Sequence, residues 1–70
     1  MDVTVNGETT PLAEGASVES LVTLVARERA TDPRRVAAAV NGEVVPRSRW
    51  PEVGLRSGDR VELLTAAAGG

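Results

Sequence analysis

Ser17-Val18-Glu19-Ser20-Leu21-Val22-Thr23-Leu24-Val25 is the stretch on which the fold turns. Val18, Leu21, Val22 and Val25 recur at i, i+3, i+4 and i+7, drawing one apolar stripe along a helix of about three turns. Ser17 is placed to cap it, because its hydroxyl can accept an orphan backbone N–H, an interaction worth about 1 kcal/mol. Glu19 sits favourably at the positive end of the helix dipole. The outer side carries Arg27, Glu28 and Arg29, and Asp32-Pro33 is expected to stop the helix. Arg27, Arg29, Arg34 and Arg35 read first as a solvated face and helix-end charges, and second as a partner patch. A helix with a single apolar stripe has one sheet face to cover, so the flanking sequence must supply that sheet.

Upstream, Val3 and Val5 point to one side of an extended segment, and Asn6-Gly7 follows. Asn-Gly after alternating apolar residues is the strongest short-range hairpin signal. The chain is therefore predicted to return along Thr9 to Leu12, with Leu12 joining the core. Downstream the period changes to two: Val36, Ala38 and Val40 share a face, Asn41-Gly42 makes a second tight turn, and Val44-Val45 answers it. Pro46 marks that fourth strand as an edge or as ending there. Pro46 to Glu52 reads as too interrupted for regular structure, with Trp50 folding inward as a lid, or else lining a binding site. Burying an aromatic of this size removes about 150–250 Å² from water.

Gly54 and Ser57-Gly58-Asp59 punctuate the approach to a last strand, Arg60 to Thr65, in which Val61 and Leu63 face inward and Arg60, Glu62 and Leu64 outward. The compact arrangement is an α+β domain over residues 1–65, with a mixed sheet of four to five strands packed on one main helix. First and last strands become parallel neighbours in its middle, since the connection between them is long enough for a crossover.

Composition narrows the function. At 70 residues the chain suits one domain, and its formal net charge of −2 disfavours nucleic acid, whose phosphates demand a basic face. A single Trp offers no stacking platform for single strands. No signal peptide or membrane span is read, and the absence of cysteine permits a reducing compartment, so a free monomer in the cytoplasm is the expectation. There is no His, Cys or Lys, and the acidic residues are scattered, so no catalytic or metal constellation is read. All eight basic residues are Arg. Compositional bias is the first explanation, and the alternative is that a chain with a reactive terminus gains by carrying no lysine amine.

The chain closes with Thr65-Ala66-Ala67-Ala68-Gly69-Gly70. Residues 66–70 read as a flexible tail, and its two glycines let the backbone bend and enter narrow sites. Leu64, an apolar side chain on the outward face just before that tail, reads either as a tolerated surface leucine or as part of a docking surface.

Together, Val40-Asn41-Gly42-Glu43-Val44-Val45-Pro46-Arg47, Trp50, Gly58-Asp59-Arg60-Val61-Glu62 and Gly69-Gly70 resemble the sulfur carrier protein of thiamine biosynthesis, the ThiS family. The resemblance spans the whole chain, and the Asn-x-x-x-Val-Pro-Arg run ahead of Gly-Asp is its most specific part. It implies the ubiquitin-like β-grasp fold. It further implies that Gly70 is adenylylated by a partner enzyme using ATP and converted to a thiocarboxylate that passes sulfur to thiazole synthase. On this view Ala68 and Gly69 give access to the partner's site, no side chain is catalytic, and the carrier binds no cofactor itself. Ala66 and Ala67 depart from the bulkier apolar residues that relatives tend to carry there. Alternatives are a carrier for molybdopterin synthesis, a ubiquitin-like protein modifier, and a β-grasp interaction module.

Overall fold

Positive φ at Asn6 (50°) and Gly7 (85°), and again at Asn41 (51°) and Gly42 (86°), turns the chain through two two-residue hairpins of the I′ kind. In the computed structural model, which describes residues 1–66, the first hairpin joins β1 (Asp2–Val5) to β2 (Glu8–Pro11) and the second joins β3 (Val36–Val40) to β4 (Glu43–Val45). The last strand, β5 (Arg60–Thr65), runs parallel to β1 and antiparallel to β3, giving the order β2-β1-β5-β3-β4. The predicted parallel pairing of first and last strands is thus present, and β5 is the central strand. Both outer strands close on proline, β2 with Pro11 and β4 with the following Pro46, which remove N–H donors from the sheet edges.

Helix α1 (Val18–Glu28) crosses one face of the sheet. Ser17 caps it through a reciprocal arrangement: its Oγ accepts from Ser20 N–H at 3.1 Å, while Ser20 Oγ accepts from Ser17 N–H at 2.9 Å. Val18, Leu21 and Val22 are fully buried as the stripe predicts, but the fourth buried position is Ala26, and Val25 is only half-buried. The helix stops before Asp32-Pro33. Ala30 takes a left-handed conformation (φ 53°), with its N–H donating to Arg27 O and the Thr31 N–H to Ala26 O at 2.9 Å. This is a Schellman closure with alanine where glycine is usual. Asp32-Pro33 instead opens a 3-10 turn, Pro33–Arg35, capped by the Asp32 carboxylate on Arg34 N–H.

The core comprises Val3, Val5, Val18, Leu21, Val22, Val36, Ala38, Trp50, Leu55, Val61 and Leu63, with Leu12 and Val40 packed partly against it. Trp50 is 3% exposed, and its Nε1–H donates to Val45 O at 2.8 Å, so the indole is an inward lid with its polar atom satisfied. The segment carrying it is not irregular: Arg47–Glu52 forms a 3-10 helix. Pro46 O accepts from Arg49 N–H at its start, and Pro51 sits within it. The chain then crosses the N-terminal end of α1, where Val53 O accepts from Val18 N–H and Leu55 N–H donates to Ala16 O. Those bonds seat Leu55 in the core.

Candidate functional site

The face of the sheet turned away from α1 is built by the alternation of its strands. On β5 the outward residues are Arg60, Glu62 and Leu64, and on β3 they are Ala37 and Ala39. Leu64 stands opposite Ala37, while Ala39 stands between Glu62 on one side and Val44 on the other. Leu64 is 75% exposed and Val44 78%, the two most exposed large apolar side chains among the described residues. With the alanines between them, they make an apolar strip across β5, β3 and β4, bordered by Arg60 and Glu62. The sequence marked Leu64. It did not mark Val44, Ala37 or Ala39, although the period of two that put Val36, Ala38 and Val40 inward necessarily put Ala37 and Ala39 outward.

The strip is rigidly backed, because both Asn-Gly turns grip β5. Asn41 Oδ1 accepts from Arg60 N–H at 3.0 Å, Asn41 N–H donates to Arg60 O at 2.7 Å, and Asn41 Nδ2–H donates to Asp59 Oδ1 at 3.0 Å. At the other end of the strand, Asn6 holds Leu63 through both groups of its side-chain amide. Asp59 also accepts from Arg56 N–H at 2.8 Å. That backbone bond first, then the Asn41 amide, holds its carboxyl below the usual carboxylate range. Asp32, hydrogen-bonded by the Arg34 side chain and backbone, is lowered to about 2. Both shifts arise in turns that hold the fold. They keep these carboxylates ionised and do not poise them for proton transfer near neutrality.

Among the described residues there is no buried polar or charged side chain and no group of His, Cys, Asp or Glu that could hold a metal. None of their helices is long and apolar enough to cross a membrane. β5 ends beside the Pro33–Arg35 turn, where Ala66 N–H donates to Arg35 O at 2.8 Å. Ala68, Gly69 and Gly70, the residues assigned to the reacting end, lie outside the described residues. What the structure does place together is the exposed strip at Leu64 and the strand that leads into that end.

Residues 3–70 match the ThiS family. The chain belongs to the ThiS family. This is the family of thiamine-biosynthesis sulfur carriers that the Asn41–Arg47 run and the Gly-Gly end resemble. A crystal structure of a ThiS thiamine biosynthesis protein from Geobacter metallireducens is 30% identical, with a TM-score of 0.79 and all of both chains covered. A thiazole synthase from Paramagnetospirillum magneticum is 33% identical over 70 residues, which make up 100% of this chain and 20% of the synthase. The chain thus spans about one fifth of that curated relative. A ubiquitin-like protein from the archaeon Caldiarchaeum subterraneum is 22% identical, with a TM-score of 0.58 over 99% of this chain and 100% of that one. It shares the fold, and the β-grasp expected from the sequence is the fold observed.

Proposed function

We propose that this ThiS-family chain carries sulfur on Gly70 as a C-terminal thiocarboxylate, and that it hands this sulfur to a thiazole synthase. The observation that carries the reading is the extent of the family match, which runs through residue 70 and so includes the Gly-Gly end. The partner follows from the relative in which a region like this chain forms one fifth of a thiazole synthase. Two proteins whose counterparts share one polypeptide are natural partners.

A carboxylate is a poor electrophile, because resonance stabilises it and its charge repels nucleophiles. Activation comes from ATP in a partner's active site. The Gly70 carboxylate oxygen attacks the α-phosphorus, pyrophosphate leaves, and an acyl adenylate forms. A sulfur nucleophile then attacks the carbonyl carbon, and AMP departs with the electron pair of the broken C–O bond. The carrier contributes no acid or base to these steps. It acts as a co-substrate. Its own contributions are reach and docking: fully extended, residues 66–70 span about 17 Å, and the strip from Leu64 to Val44 gives the partner an apolar surface to seat against.

The test is the intact mass of the chain after incubation with ATP, a sulfur source and the adenylating enzyme. One oxygen-to-sulfur increment is expected, lost in Gly70→Ala and in a chain extended by one residue after Gly70. A competent enzyme that leaves the wild-type mass unchanged would overturn the reading.

A further inference from the structure

Backbone hydrogen bonding around the end of β5 is lopsided. Ala66 N–H donates to Arg35 O at 2.8 Å, so the even-numbered residues of this strand turn their N–H and C=O groups toward β3 and the odd-numbered ones toward β1. On the β1 side, Val61 O accepts from Asn6 N–H, and Leu63 is satisfied on both its groups by the Asn6 side chain. There β1 ends and the chain turns away through Gly7. Thr65 therefore aims its N–H and C=O into the space that β1 has left, with no partner among the described residues. The residue is also exposed. The outer edges of the sheet are blunted by Pro11 and Pro46, whereas the edge at Thr65 keeps both its donor and its acceptor.

We infer that Thr65 is the seat of a strand-addition contact, in which an extended segment of the thiazole synthase pairs with its N–H and C=O along the edge that β1 vacates. This rests on the carrier role proposed above. Residue 70 lies four residues past Ala66, at most about 14 Å away along an extended chain. An enzyme that holds Gly70 in its site has part of its surface within about 17 Å of Thr65, close enough for the rim of that site to reach the strand edge. An extended backbone segment at the rim then satisfies two strong polar groups that otherwise lose water when the proteins close together. The synthase is the chosen occupant because the relative joins a chain like this one to a synthase. The contact lies in the plane of the sheet, while the strip at Leu64 faces perpendicular to it, so the two are separable by substitution.

Amide hydrogen exchange on the full labelled chain, free and saturated with thiazole synthase, tests this. The Thr65 amide is expected to exchange fast in the free chain and at least about tenfold slower in the complex, while Leu64, whose N–H faces β3, serves as the internal reference. A second measurement uses chemically synthesised Thr65→Val chains with either the normal amide or an ester at the 64–65 linkage. The ester deletes one outward N–H and is expected to weaken synthase binding about five- to tenfold, with the thermal midpoint lowered slightly because the Leu64 carbonyl, which faces β3, becomes a weaker acceptor. Unchanged exchange and equal affinity overturn the inference and leave the carrier role standing if sulfur is still transferred. Protection by the adenylating enzyme alone overturns the assignment of the occupant. Failure of the wild-type chain to bind the synthase overturns both readings.

Discussion

Asn6 and Leu63, 57 residues apart, are joined as if they were neighbours in a ladder: Asn6 Nδ2–H donates to Leu63 O at 3.1 Å, and Leu63 N–H donates to Asn6 Oδ1 at 2.8 Å. One side-chain amide thereby adds a rung to the parallel pairing of β1 and β5 beyond the point where β1 turns. Asn6→Gly keeps the positive φ that the turn requires and deletes only those two part-buried bonds. It is expected to lower the unfolding free energy by about 1–3 kcal/mol in urea denaturation. An unchanged midpoint would show that the pair contributes nothing net.

Asp59 ties stability to pH. Its folded pKa lies below the ordinary value of 3.8 because the Arg56 N–H and then the Asn41 amide bind the ionised form. The carboxylate's contribution is therefore fully present above that ordinary value and lost as pH falls through the lower, folded one. Wild-type stability should decline from about pH 4 downward. In Asp59→Asn that decline should be shallower, and stability at pH 7 should be lower. Asp32, lowered to about 2, keeps part of the acid limb in the variant. Parallel acid limbs in the two proteins would refute the assignment.

Ala30 occupies the left-handed position that ends α1, at φ 53°. A Cβ is disfavoured there, and glycine relieves the clash at a smaller entropic cost. Ala30→Gly is expected to raise stability by about 0.5–1 kcal/mol, visible as a higher urea midpoint with an unchanged slope. A loss of stability would mean that the Ala30 methyl makes a contact outweighing the strain.

Leu64→Arg places a charge at the β5 end of the outer strip. Because the side chain is 75% exposed, folding stability should change by no more than about 0.5 kcal/mol. Affinity for thiazole synthase should fall at least about tenfold. Titration of wild type and variant against the synthase checks this, and equal binding would return Leu64 to the status of a tolerated surface leucine.

Much of this fold was legible because its signals are local. Asn-Gly announces each hairpin, the stripe through Val18 and Leu21 announces the helix, and alternation along Arg60–Thr65 sets which side chains point inward. Other features depend on partners that no local pattern announces. The 3-10 helix at Arg47–Glu52 accompanies a Trp50 anchored on Val45, and Leu55 is buried because residues 53–55 hydrogen-bond across the start of α1. Asp32-Pro33 looked like the helix stop, but Ala30 had already ended the helix through backbone geometry that alanine seldom signals. The second function of each Asn, gripping β5, cannot be read from a dipeptide. For the site, Leu64 was evident from alternation alone, whereas adding Val44 required the register of β3 against β4. The assignments to Ala68, Gly69 and Gly70 concern residues beyond those described, and their test is chemical.

The central place of β5 also bears on how the molecule folds. The two hairpins share no ladder until Arg60–Thr65 slides between β1 and β3, and the pairing of Thr4 with Arg60 closes a loop over most of the chain. Contacts of such long sequence separation form late, after the entropy of closure has been overcome. Assembly of the core should accordingly be one slow, concerted event gated by the last strand. The same strand leads directly into the residues proposed to react, so it works as a checkpoint: a body that has not closed has no ordered root from which to offer its terminus.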